Sequence, residues 1–186
     1  MQSINVVTIN AECEQEQDLV KIVEDARNYF PSATWDNVLH NGKHRLKHDI
    51  KVTTKGESFE AFLFKNLAEK LGKISKPHRP MSLLLAITPN PVVAMYCYFD
   101  GKRFKRSLYL VHDYVNETFG VVSLFHVKER SSSKVIAHGL GHGKGLNHHL
   151  EPADLMHPEL LRTSTLQVEG FCKACLQKLT INQKHQ

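Results

Sequence analysis

A run of histidines and glycines between His138 and His148 limits most strongly what this chain can fold into. His138 and His142 are four residues apart, so a helix places their rings one turn apart on one face. Gly145 can end that helix, because glycine readily adopts a positive φ angle, and His148 can then return toward the two rings. Three neutral imidazoles around one point form a tetrahedral zinc site whose fourth position is left for water. The sequence therefore predicts a zinc site carried by a helix.

A histidine-rich stretch without a defined site is the alternative interpretation. Five of the twelve histidines lie within twenty residues, at positions 138, 142, 148, 149 and 157. Three of them keep the spacing of zinc ligands, and a glycine occupies the expected turn, which favours a defined site. Met156 follows soon after the third ligand; alone it would be an ordinary core methionine.

One pair among the four cysteines indicates either half of a second metal site or a redox pair. Cys172 and Cys175 form a C-x-x-C pair near the C-terminus, whereas Cys13 and Cys97 stand alone. A redox C-x-x-C normally opens a helix after a strand, so its position favours a metal site.

No apolar run is as long as a membrane span, and no signal peptide is apparent. We therefore expect a cytoplasmic protein with reduced thiols and no membrane partner.

Composition sets broad limits on the class of protein. With 186 residues, the chain is long enough for one domain with a full core. Its formal net charge of +5 suits an acidic partner and is also common in ordinary proteins. The basic residues form one small cluster, at Lys102, Arg103, Lys105 and Arg106. No groove-reading or base-stacking motif accompanies it, so nucleic acid is not favoured as a partner.

Apolar periodicity predicts alternating strands and helices. The predicted strands are Ile4–Ile9, Asp49–Thr53, Met81–Thr88, two flanking the Asp100-Gly101 turn, and Phe119–Phe125. The predicted helices are Gln15–Phe30, Ser58–Gly72, a zinc helix from about Lys134 with its N-cap among Ser131–Ser133, and Leu166–Thr180, with a turn at Lys76–Pro80. This order favours a mixed α/β sheet behind the zinc helix.

From His138 to Leu179 the chain resembles the archaemetzincins, small metallopeptidases with the pattern HExxHxxGxxHCxxxxCxM followed by CxxC. The resemblance implies a single metzincin-like domain over residues 1–186, with an α/β (α+β) fold. In such a domain, residues 1–146 form a mixed sheet backed by helices and end in the zinc helix. Residues 147–186 supply a methionine turn and the C-terminal helix.

The resemblance also implies two zinc ions per chain. The first is held by His138, His142 and His148, above a methionine turn at Met156. The second, structural ion has four cysteine ligands in the family, and the matching positions here are His149, Asp154, Cys172 and Cys175. Imidazole and carboxylate also bind zinc, at about 2.0–2.2 Å, so this set is chemically sound, though less soft than four thiolates. The alternative is a lost site with a free thiol pair.

The residue after the first histidine is Gly139, where the family has a glutamate that polarises the attacking water. General acid–base catalysis is typically worth about 10²–10⁴ in rate, whereas zinc alone still lowers the pKa of bound water toward about 7. No replacement carboxylate stands out in the sequence, since Glu151 and Glu159 are near the ligands but not clearly aimed at the water. The general-base position is therefore the one gap in the predicted catalytic site.

Three functions follow from these features. The first is a zinc metallopeptidase, impaired by Gly139, that binds its peptide substrate along a sheet edge around Val121–Phe125. The second is an inactive zinc-binding pseudopeptidase that binds a peptide or protein partner. The third has structural metal only, with the basic cluster of residues 102–106 binding an acidic partner. Activity restored by Gly139→Glu would favour the first.

Overall fold

The computed structural model describes residues 1–54, 56–74, 82–151, 153–161 and 168–183. These residues form nine strands, four α-helices and a 3₁₀ turn. The strands are β1 (Gln2–Ile9), β2 (Trp35–His44), β3 (Ile50–Thr54), β4 (Glu57–Leu63), β5 (Ser82–Thr88), β6 (Val92–Phe99), β7 (Phe104–Leu110), β8 (Asp113–Val115) and β9 (Phe119–Ser123). The helices are α1 (Cys13–Arg27), α2 (Phe64–Ile74), α3 (Glu129–Gly143) and α4 (Lys173–Gln183), and the 3₁₀ turn is Pro158–Leu161.

A five-stranded sheet in the order β2-β1-β5-β9-β8 forms the centre of the fold. Its first four strands are parallel, and β8 is an antiparallel edge strand. Every residue of β5 is buried, as expected for a strand covered on both faces. Leu83, Leu85 and Ile87 pack with α1 and α3, whereas Leu84 and Ala86 pack with α2. This alternation explains the unbroken apolar run in the sequence.

A second sheet, in the order β3-β4-β6-β7, lies beside the α2 core. Its β6–β7 hairpin turns at Asp100-Gly101, which confirms the predicted turn. Most residues of both hairpin strands beyond Ala94 are exposed. The hairpin therefore contributes little to the core and extends away from it.

The predicted helix from Ser58 was wrong at its start. Residues 57–63 form β4, which pairs with β3 and β6, and the helix begins only at Phe64. Phe59, Phe62 and Leu63 fit helical spacing, but Ala61 and Phe62 are buried as strand residues. Sheet pairing thus overrides an ambiguous local pattern. β2 was not predicted, because its sequence is mostly polar and its pairing to β1 is made by the backbone.

Two further helix starts differ from prediction. α3 begins at Glu129, five residues before Lys134, and Ser132 lies inside it, donating to the carbonyl of Lys128. α4 begins at Lys173, and residues 168–172 before it are not helical. The rest of the predicted start of that helix, from Leu166, lies outside the described residues, as does the predicted turn at Lys76–Pro80.

The predicted substrate edge at Val121–Phe125 was also wrong. β9 ends at Ser123 and lies between β5 and β8, so both of its sides are paired. The edge beside the zinc helix is β8, a three-residue strand too short to be recognised in the sequence. The division of the chain at residue 146 stays a prediction. In the part of the chain that the structure covers, no helix is both long and apolar enough to cross a membrane.

Candidate metal centre

Three imidazoles converge at the end of α3. The Nε2 atoms of His138, His142 and His148 lie 3.0–3.1 Å from one another. Ligand nitrogens of a tetrahedral zinc ion, at about 2.0–2.1 Å from the metal, are about 3.3 Å apart. The three rings, termed here the three-histidine cluster, therefore have nearly the spacing that one zinc ion requires.

Hydrogen bonds on the far side of two rings fix the direction of their lone pairs. His138 Nδ1 lies 2.6 Å from the carbonyl oxygen of Leu155, and His142 Nδ1 lies 3.0 Å from that of Leu146. A carbonyl oxygen only accepts, so each Nδ1 carries the proton and each Nε2 presents a lone pair. Two facing lone pairs repel each other unless a cation lies between them, which is the arrangement of metal-bound histidines.

Burial keeps the cluster in the neutral form that binds metal. It lowers the pKa of His138 to about 4 and, together with the neighbouring imidazoles, lowers the pKa values of His142 and His148. His138 is fully buried, whereas His148 is exposed. The cluster therefore opens toward solvent on the side of His148, in a cleft of about 1070 Å³ that is also lined by Asp113, Tyr114, Tyr109 and Pro158.

The glycines of α3 allow close packing on both sides of the helix. A Cβ on Gly143 would lie 2.9 Å from Val115 of β8, and a Cβ on Gly141 would lie 2.7 Å from the Met156 sulfur. Gly145 has a φ angle of 79° and reverses the chain after the helix. These glycines weaken the intrinsic helix propensity, but they bring α3 against β8 and the buried Met156 against the helix.

The four residues predicted for the second ion also converge. His149 Nε2 lies 3.2 Å from Cys175 Sγ, 3.7 Å from Cys172 Sγ and 3.2 Å from Asp154 Oδ2. One donor atom from each residue lies within 4.8 Å of all the others. This mixed-donor cluster joins the loop after α3 to the start of α4.

Asp154 organises the mixed-donor cluster through its backbone contacts. Its buried carboxylate accepts hydrogen bonds from the amides of Met156 and Cys172. Burial acts to raise the pKa of Asp154, but hydrogen bonds from Cys172 and Met156 outweigh burial, so the pKa lies below its ordinary value. Burial, with the charge of Asp154, raises the pKa of Cys175 to about 12. Without a cation Cys175 is therefore a thiol, and a bound metal would remove its proton.

One carboxylate near the three-histidine cluster was missed in the sequence. Asp113, on the edge strand β8, places Oδ2 3.9 Å from His138 Nε2. Its side chain is 6% exposed, and Oδ2 has no hydrogen-bond partner among the described groups. Burial raises the pKa of Asp113 to about 6, although His142 and His148 act to lower it. No sequence motif marks this residue, because only the packing of β8 on α3 brings it to the site.

Comparison with known proteins tests the predicted fold. No family model matches this sequence, and no curated protein matches it. Among solved structures, an archaemetzincin from Methanopyrus kandleri is similar with a TM-score of 0.65 and 19% identity, covering 98% of this chain and 96% of that one.

Two further solved structures are similar over nearly their whole lengths. An archaemetzincin from Archaeoglobus fulgidus, complexed with malonate, has a TM-score of 0.57 and 13% identity, covering 95% of this chain and 99% of that one. A zinc-dependent peptidase from Methanocorpusculum labreanum has a TM-score of 0.55 and 15% identity, with the same coverage. At this identity the likeness bears on fold. It confirms the predicted mixed α/β architecture, and the chain has the fold of the archaemetzincins.

Proposed function

We propose that this chain is a zinc-dependent metallopeptidase of the archaemetzincin family, which hydrolyses peptide bonds at the three-histidine cluster. The observation that supports it most is the convergence of three Nε2 atoms within 3.1 Å, with the lone pairs of His138 and His142 fixed by backbone carbonyls. A zinc ion there would polarise the peptide carbonyl and make water nucleophilic near neutral pH. His138, His142 and His148 would hold this ion on the side of the cluster that opens to the cleft.

The substrate is a peptide in extended conformation. β8 presents an antiparallel edge beside the cluster, and among the described residues no strand pairs with its outer side. A peptide that adds to this edge gains main-chain hydrogen bonds independent of its sequence. Tyr114 and Tyr109 line the adjoining cleft and offer apolar surface to its side chains.

A second, structural zinc ion at the mixed-donor cluster is part of the proposal. The donors suit zinc, since two thiols, one imidazole and one carboxylate can complete a closed tetrahedral site. Both thiols must stay reduced to bind this ion, so the location included in the proposal is a reducing compartment, the cytoplasm. The chain would carry two zinc ions in all.

A second candidate is a zinc-binding pseudopeptidase that binds a peptide or partner without cleaving it. The observation that favours it is Gly139, which has no carboxylate where the family has its general base. Retention of all three imidazoles with loss of the base is what such a protein requires. Both candidates bind the same metal ions and a peptide along the same cleft, and they differ only in whether the bound peptide is cleaved.

Metal analysis together with a cleavage assay tests both candidates. We expect purified protein to contain two zinc ions per chain and to cleave an unstructured peptide mixture, with cleavage lost in His142→Gln. Detection of new peptide termini by mass spectrometry measures turnover directly. Two bound zinc ions without cleavage would favour the pseudopeptidase, and protein that binds no zinc would contradict both.

A further inference from the structure

The carboxylate of Asp113 lies beside Gly139, at the position where the family has a glutamate. A Cβ built on Gly139 would lie 3.1 Å from Asp113 Oδ2, 3.2 Å from Asp113 Cβ and 3.0 Å from Val115 Cγ2. These separations are shorter than ordinary van der Waals contact between carbon atoms. A side chain at position 139 would thus be crowded by Asp113 and Val115, and the Asp113 carboxylate lies beside the position where the family has its glutamate.

The packing of β8 on α3 leaves the Asp113 carboxylate almost fully buried. Its side chain is 6% exposed and its Oδ2 has no hydrogen-bond partner among the groups that the structure describes. A buried polar atom without a partner costs free energy. A solvent molecule or ligand held at the cluster would supply the missing partner.

The distance from Asp113 Oδ2 to the nearest imidazole distinguishes a metal ligand from a proton acceptor that acts on bound solvent. Asp113 Oδ2 lies 3.9 Å from His138 Nε2, whereas two ligand atoms on one tetrahedral zinc ion are about 3.3 Å apart. The three Nε2 atoms already have nearly the spacing of ligands, and Oδ2 lies outside it. The oxygen therefore lies beside the cluster but outside the spacing of a ligand, which suits a group that would act on solvent held there rather than on the ion itself.

We propose that Asp113, acting from the sheet edge, replaces the general base that Gly139 lacks. This proposal rests on the proposed peptidase function. The attacking water gives a proton to Asp113 Oδ2 as its oxygen bonds to the peptide carbonyl carbon. Asp113 then gives that proton to the amide nitrogen as the C–N bond breaks, so the carboxylate is regenerated. Gly139 is the residue that leaves room for Asp113.

The first test is the Asp113→Asn variant of the zinc-loaded protein. Asparagine keeps the shape of the side chain but accepts no proton, so kcat/KM for peptide cleavage should fall by about 10²–10⁴. The zinc content should stay at two per chain. The exposed carboxylate of Glu117 lies just beyond β8, and Glu117→Gln is the matched control that should cleave at the wild-type rate. Loss of a zinc ion in Asp113→Asn would make Asp113 a ligand and overturn the proposal.

A binding assay gives a readout that does not depend on turnover. Acetohydroxamic acid loses a proton when it binds a metal, and a nearby base can take up that proton, whereas acetate brings none. By calorimetry on zinc-loaded protein, Asp113→Asn should bind acetohydroxamic acid at least about 10-fold more weakly. Its affinity for acetate should not weaken. Equal hydroxamate affinity in both proteins, or none in either, would overturn the proposal.

The same pair of assays distinguishes this proposal from the proposed function. If the wild type cleaves peptides and Asp113→Asn cleaves them equally fast, the peptidase function is supported and the role of Asp113 as general base is contradicted. If the wild type cleaves no peptide, but Asp113→Asn binds hydroxamate more weakly and acetate equally well, the peptidase function is contradicted and Asp113 is supported as a proton acceptor at the metal site.

A double variant tests the exchange of the two carboxylates. Gly139→Glu alone should not raise activity, because its Cβ meets Asp113 and Val115. Asp113→Gly combined with Gly139→Glu removes both contacts with residue 113 and leaves only the one with Val115 Cγ2. This double variant should cleave at least about 10-fold faster than Asp113→Gly alone. Higher activity in Gly139→Glu than in the wild type would contradict the proposal.

Discussion

The three-histidine cluster and the mixed-donor cluster are neighbours in sequence but differ in how they are held. Two donors of the first lie on one helix, and backbone carbonyls orient both. The donors of the second come from separate segments, at residues 149–154 and 172–175. We infer that the first cluster is largely formed before metal binds, whereas the second needs its metal to hold two segments together.

One short segment connects the two clusters. Asp154 belongs to the mixed-donor cluster, and the carbonyl of the next residue, Leu155, accepts the hydrogen bond from His138 Nδ1. The Leu155 amide in turn donates to the carbonyl of Gly170. Damage to the second cluster should therefore reach the first, whereas damage to the first should stay local. Variants in the two clusters should therefore differ in how far their effects spread.

The largest effect is expected for His142→Gln. Loss of the first metal removes several kcal/mol of transition-state stabilisation, or about 10³-fold or more in kcat/KM. Metal-free wild type and variant should differ by less than about 1 kcal/mol in unfolding free energy, because the ring is only partly buried. Zinc analysis, cleavage assays and urea unfolding measure this. His40→Gln, at an exposed position on β2, is the control. A large loss of metal-free stability in His142→Gln would contradict the expectation that its damage stays local.

Cys172→Ser with Cys175→Ser should act mainly on stability and, through the Leu155 carbonyl that orients His138, should also weaken zinc binding at the three-histidine cluster. The protein should lose one zinc ion and about 3 kcal/mol of unfolding free energy in excess zinc, because that ion holds two segments together. Thermal and urea unfolding in zinc and in chelator separate the metal contribution. Cys97→Ser, at an exposed thiol on β6, should change nothing. Full stability of the double variant in zinc would show that the mixed-donor cluster is not structural.

Asp154→Asn should destabilise even the metal-free protein, by about 2 kcal/mol. The carboxylate accepts from the amides of Met156 and Cys172, and an asparagine amide group would leave one buried donor without an acceptor. Urea unfolding in chelator measures the loss, with the exposed Asp25→Asn as control. An unchanged metal-free stability would limit Asp154 to metal binding.

The smallest effect is expected for Gly141→Ala. The new methyl group would lie 2.7 Å from the Met156 sulfur, and overpacking of this kind costs about 1–2 kcal/mol. Gly72→Ala in α2 is the matched control, since nothing lies within 4 Å of that methyl group and loss of a helical glycine should stabilise by roughly 0.5–1 kcal/mol. Thermal unfolding of both variants tests whether Met156 is held tightly beneath α3.

The candidate ligands were predictable because their spacing is local. His138 and His142 are one helical turn apart, Gly145 provides the reversal, and the C-x-x-C pair is marked by its own spacing. The buried strand β5 was predictable from its apolar run for the same reason. These features depend on a few adjacent residues and on backbone geometry alone.

The parts that were missed depend on distant contacts. β2 is polar and pairs through its backbone, and β4 has apolar positions that also fit a helix. β8 is three residues long, so the sheet edge was assigned to β9. Asp113 reaches the cluster only because Gly139 and Gly143 let α3 approach β8. No periodicity in the sequence records that approach.

Anomalous diffraction at the zinc edge from crystals of the purified protein tests the central claim most directly. We expect one peak about 2.0–2.1 Å from the Nε2 atoms of His138, His142 and His148, with solvent between it and Asp113, and a second peak within the mixed-donor cluster. Three rings that turn away from one another, with no peak among them, would contradict the account.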